Sequence, residues 1–330
     1  MKLATLKNGT RDGKLVVVSK DLSRAVDATE CAATLLHALE QWETVAPQLN
    51  DLYQRLNNWT VNDAFVFDPR DAAAPLPRAP QWCDGSAFLN HAKLMETAFN
   101  APPIPDLATI PLMYQGGSDD LLGAHDDVAL PDETAGIDFE GEFGVIVGDV
   151  PMACSTEIAL QHIRLIVQIN DVSLRAHGKR EMQTGFGFFH AKPSSSFAPV
   201  AVTPDELGAA WDSGRVCLPL NIAWNGQWFG HPNGSEMSFG FDRLIRHAAA
   251  TRRLRAGTII GSGTVSNADR TSGSGCIAER RAIEIIERGS VSTGFMRFGD
   301  RVRMEARALD GTPMFGAIDQ QIVDALRSDR

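Results

Sequence analysis

The sequence predicts a mixed α+β fold that is mainly β. A small N-terminal α+β domain (1–75) precedes a larger sheet-rich domain (80–330). Three observations carry this. Past residue 80, most apolar segments are short runs of strand length between Gly- and Pro-rich turns. Helical patterns are too few for regular β-α alternation, which favours a mixed, mainly antiparallel arrangement. Residues 71–80, Asp-Ala-Ala-Ala-Pro-Leu-Pro-Arg-Ala-Pro, form a connector, and the segment before it is too small to hold much of a core alone.

In order, residues 2–6 and 14–19 read as an N-terminal hairpin around the turn Asn8-Gly9-Thr10-Arg11-Asp12-Gly13-Lys14. Helical patterns follow near 30–42 and 47–58. Beyond the connector, strands are expected at 143–148, 165–170, 218–224, 257–261, 282–287 and 301–308. Helices are expected near 91–99, 156–164, 172–182 and 240–250.

With 44% apolar and 22% charged residues, the composition is that of an ordinary globular protein. The net charge of -10 and the lack of a long basic run speak against nucleic acid as a partner; Arg252-Arg253-Leu254-Arg255 reads as a solvated helix end. No apolar run approaches a membrane span, and Met1–Lys7 runs at once into a charged turn, unlike a secretory signal. A soluble, cytoplasmic protein is expected. Cys31, Cys83, Cys154, Cys217 and Cys276 are scattered, odd in number and without a C-x-x-C pair, which speaks against disulfides and a zinc-thiolate site.

Chemistry concentrates in four stretches. In Ile-Asp-Phe-Glu-Gly-Glu-Phe (137–143), a period of two places Asp138, Glu140 and Glu142 on one strand face, with neighbouring acids roughly 7 Å apart. Such a face is either solvated or neutralised by a hard cation with several oxygen ligands. In the second stretch an apolar strand ends at Asn170-Asp171, where Asp171 is either at the strand end or the N-cap of the next helix, with Arg175 four residues on. In the third, Asp84 and His91 lie seven apart. The fourth comprises the glycine-rich loops Gly261-Ser262-Gly263-Thr264-Val265-Ser266 and Gly273-Ser274-Gly275, with Glu279 following. No P-loop, N-terminal dinucleotide fingerprint or G-x-S-x-G elbow is present.

Together these stretches resemble the fumarylacetoacetate hydrolase family over about residues 80–325. The resemblance rests on six motifs in order: Asp84 with His91, Glu140-x-Glu142, Asn170-Asp171-x-Ser173-x-Arg175, Lys192, Gly263-Thr264-Val265-Ser266, and Gly275 with Glu279. It implies a mixed β-sandwich roll behind the small N-terminal domain. It implies that Asp84, Glu140, Glu142 and Asp171 hold one divalent cation, leaving Asp138 as an extra acid. Oxygen ligands select Mg²⁺, Ca²⁺ or Mn²⁺. His91 is then the general base, Glu279 its orienter, Arg175 or Lys192 the partner of a developing oxyanion, and Thr264 a contact for a substrate carboxylate.

The implied activity is hydrolysis of a C–C bond in a β-diketo acid from aromatic catabolism, with fumarylacetoacetate and fumarylpyruvate as nearest substrates. Decarboxylation, hydration or isomerisation of a 2-oxo acid is the alternative, and a catalytically silent metal-binding protein a third. Three substrate contacts of the family depart here: Ser86 replaces a tyrosine, Asn100 an arginine and Gly178 a glutamine. Lys179, Arg180 and Gln183 are the candidate substitutes. A homodimer is also expected, partly because the small N-terminal segment needs its apolar faces covered. Light scattering at micromolar concentration should give about twice the 35.8 kDa chain mass, and a clean monomer contradicts this.

Overall fold

The computed structural model describes residues 1–99 and 102–327. The hairpin forms where the apolar runs place it: β1 (Lys2–Leu6) pairs antiparallel with β2 (Lys14–Val18), from Lys2↔Val18 to Leu6↔Lys14. The Leu15-Val16-Val17-Val18 run does not alternate because both faces are covered. Leu15 and Val17 join one core cluster, Val16 and Val18 the other. Next come β3 (Arg24–Asp27), α1 (Leu35–Glu40), α2 (Trp42–Asn57) and β4 (Phe65–Val66). Both helices bury apolar residues such as Leu35, Leu39 and Leu49 in the cluster that holds Leu15 and Val17.

Past the connector lie β5 (Trp82–Gly85), α3 (Leu89–Phe99), β6 (Met113–Gly116), β7 (Val128–Leu130), β8 (Ile137–Asp138), β9 (Gly141–Val147), α4 (Thr156–Gln161) and β10 (Ile163–Asn170). Then follow β11 (Ser173–Leu174), α5 (Arg175–Thr184), β12 (Ser196–Phe197), β13 (Val200–Val202), β14 (Trp211–Asp212) and β15 (Arg215–Val216). The last elements are β16 (Leu220–Trp224), β17 (Gln227–Gly230), α6 (Phe241–Ala248), β18 (Ile259–Gly261), α7 (Ile277–Arg288), β19 (Arg301–Ala306) and β20 (Ile318–Asp324).

The main sheet runs β4-β3-β2-β1-β13-β10-β9-β18-β5-β6, with β12 added to β10. The N-terminal strands are thus hydrogen-bonded into it, with Lys2↔Val202 to Ala4↔Val200 as the seam. The second sheet runs β17-β16-β19-β20-β7. Among the described strands only β18–β5 and β20–β7 pair in parallel, so the mainly antiparallel, mixed α+β expectation holds. A buried glutamine ties the two sheets: Gln168 Nε2 donates to the Met304 carbonyl (3.1 Å), and Ala306 N–H donates to Gln168 Oε1 (2.8 Å). Among the described residues no helix is long and apolar enough to cross a membrane, and the five cysteines are free thiols.

Two expected elements differ. Residues 282–287 form no strand but lie within α7. The Ala-Ile-Glu-Ile-Ile stretch mimics alternation over a short window. Upstream Ala, Glu and Arg favour helix, and Gly289, at φ 72, ends it in the left-handed conformation. The helix expected from residue 172 begins at Arg175, because Ser173 and Leu174 first pair with Asp138 and Ile137.

Candidate active site

The site is assembled by four neighbouring strands of the main sheet. β18 lies between β9 and β5, and its Gly261 is paired with Gly144 on one side and Asp84 on the other. A side chain at Gly261 has no room: its Cβ would lie 2.3 Å from Asp84 Oδ1. This gap lets Asp84 on β5 face Glu142 on β9, while Asp171 follows the end of β10, whose Ile169 pairs with Glu142. Asp84, Glu142 and Asp171 are all buried, and one carboxylate oxygen from each lies within 4.8 Å of the others. Neither Glu142 oxygen receives an N–H or O–H donor, and the close polar neighbour is the Asp84 carboxyl. Buried polar groups are normally paired, so two orphaned carboxylate oxygens facing two more acids fit a hard cation.

The surroundings are electrostatically divided. Glu140 stands outside this cluster of three. Its Oε1 accepts from Ser173 Oγ (2.9 Å) and lies 2.6 Å from Arg175 Nη2 in an ion pair, and its Oε2 accepts from Lys192 Nζ (3.0 Å). Lys192 also donates to Asp171 Oδ2 (2.5 Å), which accepts from Tyr114 O–H (2.7 Å) as well; Asp171 Oδ1 accepts from Ser195 Oγ (2.6 Å). Burial alone would raise the Glu140 pKa, but the Lys192 and Arg175 cations outweigh it and hold that carboxyl well below its usual range. Glu142 has no such relief: burial, then the charges of Asp84, Asp171 and Glu140, push it far up. Asp84 is pushed up to about 8 by burial and by Asp171.

These shifts set a pH dependence. Glu142 and Asp84 have raised folded-state pKa values, against about 4 when unfolded. The folded, ion-free chain therefore binds more protons than the unfolded chain in between. The associated stability is full below about pH 4 and is lost as pH rises through the folded values. Glu140 shifts the other way, but its window closes below about pH 5. In chelator the melting temperature should fall from pH 5 to pH 8.5. A flat or rising profile in wild type, or an equally steep fall in Glu142→Gln, contradicts this assignment.

His91, near the start of α3, places Nδ1 2.9 Å from Glu279 Oε2 on α7. Glu279 is buried, and His91 lies near Glu140. Thr264 is buried in the loop after β18, beside Gly275. Lys179, Arg180 and Gln183 lie on the exposed part of α5. Ser86 is half-buried, and its N–H donates to the Leu112 carbonyl. Gly178 faces open space, and Asn100 lies outside the described residues. Arg175 and Lys192 are each held by two carboxylates.

Asp171 does not cap α5, whose N-cap is Leu174. Nor do the three acids of the 137–143 run share one face. The strand breaks after Asp138, β8 and β9 pair with different partners, and Asp138 points to Arg175 and the start of α7. Sequence reasoning missed Tyr114 and Ser195. Neither sits in a motif; Tyr114 is placed by pairing with Asp84 across β5 and β6.

The fold and site define a sheet-dominated α+β protein with a buried carboxylate cluster and a histidine–glutamate pair. The family model described as "Fumarylacetoacetate (FAA) hydrolase C-terminal" matches residues 81–323, and "Fumarylacetoacetase N-terminal domain 2" matches residues 1–78. The chain belongs to the fumarylacetoacetate hydrolase family. It is 25% identical to the oxaloacetate tautomerase YisK of Bacillus subtilis over 88% of this chain and 89% of that protein. It is 32% identical to a 2,4-didehydro-3-deoxy-L-rhamnonate hydrolase of a Sphingomonas species over 49% of this chain, but that match spans only 54% of the relative. The fold is that of a fumarylacetoacetate hydrolase from Exiguobacterium antarcticum, with a TM-score of 0.66, 19% identity and coverage of 98% and 99% of the two chains. It is also that of a maleylpyruvate hydrolase from Sphingobium sp. SYK-6, crystallised with manganese(II) and pyruvate, with a TM-score of 0.65, 17% identity and the same coverage.

Proposed function

We propose that this protein is a divalent-metal-dependent hydrolase that cleaves a C–C bond in an acylpyruvate-type β-diketo acid. The observation that carries the reading is the His91–Glu279 contact beside the orphaned Glu142 cluster. Glu142, Asp84 and Asp171 would hold the cation, with Glu140 beside them as the fourth candidate ligand. Mn²⁺ is the first ion to test, because the maleylpyruvate hydrolase neighbour was crystallised with it. When bound, the ion supplies Lewis-acid polarisation of the dicarbonyl oxygens.

The chain's own residues supply the remainder. Glu279 accepts the Nδ1–H of His91, which leaves Nε2 to take a proton from water. The imidazolium that forms is stabilised by the buried Glu279 carboxylate. As that proton leaves, the water oxygen bonds to the substrate carbonyl carbon; collapse of the tetrahedral adduct breaks the C–C bond with its electron pair going to the enolate, and the proton returns from Nε2 to that carbon. Lys192 fixes Glu140 and Asp171, and Arg175 fixes Glu140 from the other side. A second reading is favoured by the near full-length match to an oxaloacetate tautomerase. There His91 moves a proton between carbon and oxygen and no bond between carbons breaks.

The test is incubation of the Mn²⁺- or Mg²⁺-loaded protein with maleylpyruvate, fumarylpyruvate, fumarylacetoacetate and oxaloacetate. Loss of enol absorbance with stoichiometric release of pyruvate from maleylpyruvate or fumarylpyruvate, or of acetoacetate from fumarylacetoacetate, supports hydrolysis. Loss of enol from oxaloacetate alone, with no cleavage product, supports the tautomerase. With Asn100 in place of the carboxylate-binding arginine expected from the family, and Ser86 and Gly178 in place of two further polar contacts, the acid-binding end should lack a charge-assisted bond of about 1.5–3 kcal/mol unless Lys179 or Arg180 reaches into the pocket. An acylpyruvate should therefore exceed fumarylacetoacetate in kcat/KM by roughly tenfold to a hundredfold. Fumarylacetoacetate winning by a similar factor overturns that preference.

A further inference from the structure

Asp138 is fully buried and takes no part in the chemistry above. Its Oδ1 accepts from the Ile277 N–H at 2.7 Å and its Oδ2 from the Ala278 N–H at 2.9 Å, both in the first turn of α7. The same Oδ2 accepts from Arg175 Nε at 2.9 Å, and Arg175 Nη2 stands in ion-pair contact with it at 2.8 Å and with Glu140 Oε1 at 2.6 Å. The helix has a poor cap of its own. Cys276, at the N-cap, offers only Sγ to the Glu279 N–H at 3.4 Å, and sulfur is a weak acceptor. The anion that satisfies this helix start therefore comes from Asp138, on a different strand. A carboxylate suits both neighbours at once, the positive helix end and the guanidinium.

The clamped amides belong to the two residues just before Glu279. Fixing them fixes the rotation of the first turn about the helix axis. That rotation decides whether the Glu279 carboxylate reaches His91 Nδ1, now 2.9 Å away.

We propose that Asp138 is a positioning residue for the acid–base pair: by clamping the first turn of α7 against Arg175, it holds Glu279 on His91. The proposal rests on His91 acting as the base. A purely structural role for Asp138, fastening α7 to the sheet, is the competing account.

The test uses Asp138→Asn, Glu279→Gln and their combination in the Mn²⁺-loaded full chain, with the acylpyruvate that wild type turns over fastest. A metal-free crystal structure of Asp138→Asn accompanies the kinetics. Asp138→Asn should lower kcat by roughly 30- to 100-fold with KM within about threefold. In the Glu279→Gln background it should cost less than about threefold more, because both changes break one device. The crystal structure should show the Glu279–His91 contact opened beyond hydrogen-bonding distance. Retention of that contact, or multiplicative losses in the combined variant, overturns the proposal. If wild type turns over no dicarbonyl acid, the functional reading falls, and the crystallographic distance alone decides the role of Asp138. If Asp138→Asn does not fold, Ala278→Pro decides. It removes one clamped N–H within the first helical turn, where proline is tolerated. It should lower kcat by roughly threefold to tenfold with KM unchanged, and a wild-type kcat overturns the proposal.

Discussion

His91→Ala is expected to lower kcat by about 10²- to 10⁴-fold while leaving Mn²⁺ affinity within a few-fold of wild type. The size follows from what is lost. The imidazole is the group whose ordinary titration range lies near neutrality and whose ring is fixed by a buried carboxylate 2.9 Å from Nδ1. Removing it leaves water without a positioned acceptor, and leaves Glu279 buried with its partner gone. The cation site should survive, because Asp84, Glu142 and Asp171 lie on or beside β5, β9 and β10, not on α3. The measurement is steady-state kinetics beside calorimetric titration of Mn²⁺. Near-wild-type kcat rejects the base assignment. Loss of both kcat and Mn²⁺ binding means that His91 belongs to the cation site.

The sheet was largely legible because both of its periodic signals are strong. Uninterrupted apolar runs such as Leu15–Val18 and Leu165–Val167 mark strands covered on both faces, and they lie there. The site was legible only in part. The Glu140/Glu142 spacing showed that acids would gather near one strand, but not that Arg175 and Lys192 would take Glu140 while leaving Glu142 orphaned. That division depends on α5 and on the segment before β12, whose paths no local pattern specifies. The His91–Glu279 contact spans 188 residues, and residue chemistry alone cannot choose that pair. Resemblance to a family selected it, and the structure then supplied the distance. Asp138 illustrates the limit from the other side. Alternation assigned it to the face of Glu142, but alternation holds only while one strand continues, and here it breaks at Phe139.

Glu142→Gln is expected to change stability in opposite directions with and without the cation. In wild type without a cation, a fully buried carboxyl with two orphaned oxygens faces Asp84 and Asp171, and its pKa is driven far up by burial and by those charges. Glutamine has nearly the same shape, carries no charge, and brings an amide that can donate to either neighbouring carboxylate. The melting temperature in chelator at pH 8 should therefore equal or exceed that of wild type. With Mn²⁺ the order should reverse. Saturating ligand at about 100 times Kd stabilises the native state by about 2.7 kcal/mol, and the variant should lose most of this because it lacks a ligand at the centre of the cluster. Its Mn²⁺ affinity should fall by more than the roughly 10- to 100-fold that removal of an outer hydrogen-bond partner costs, and turnover should fall with it. Thermal melts at pH 8 across a Mn²⁺ titration read both halves. A variant with the wild-type Mn²⁺ shift shows that Glu142 does not hold the ion. A variant that melts far below wild type in chelator shows that the Glu142 carboxylate is satisfied by some contact other than a cation, and either result removes the basis for placing the metal between these three acids.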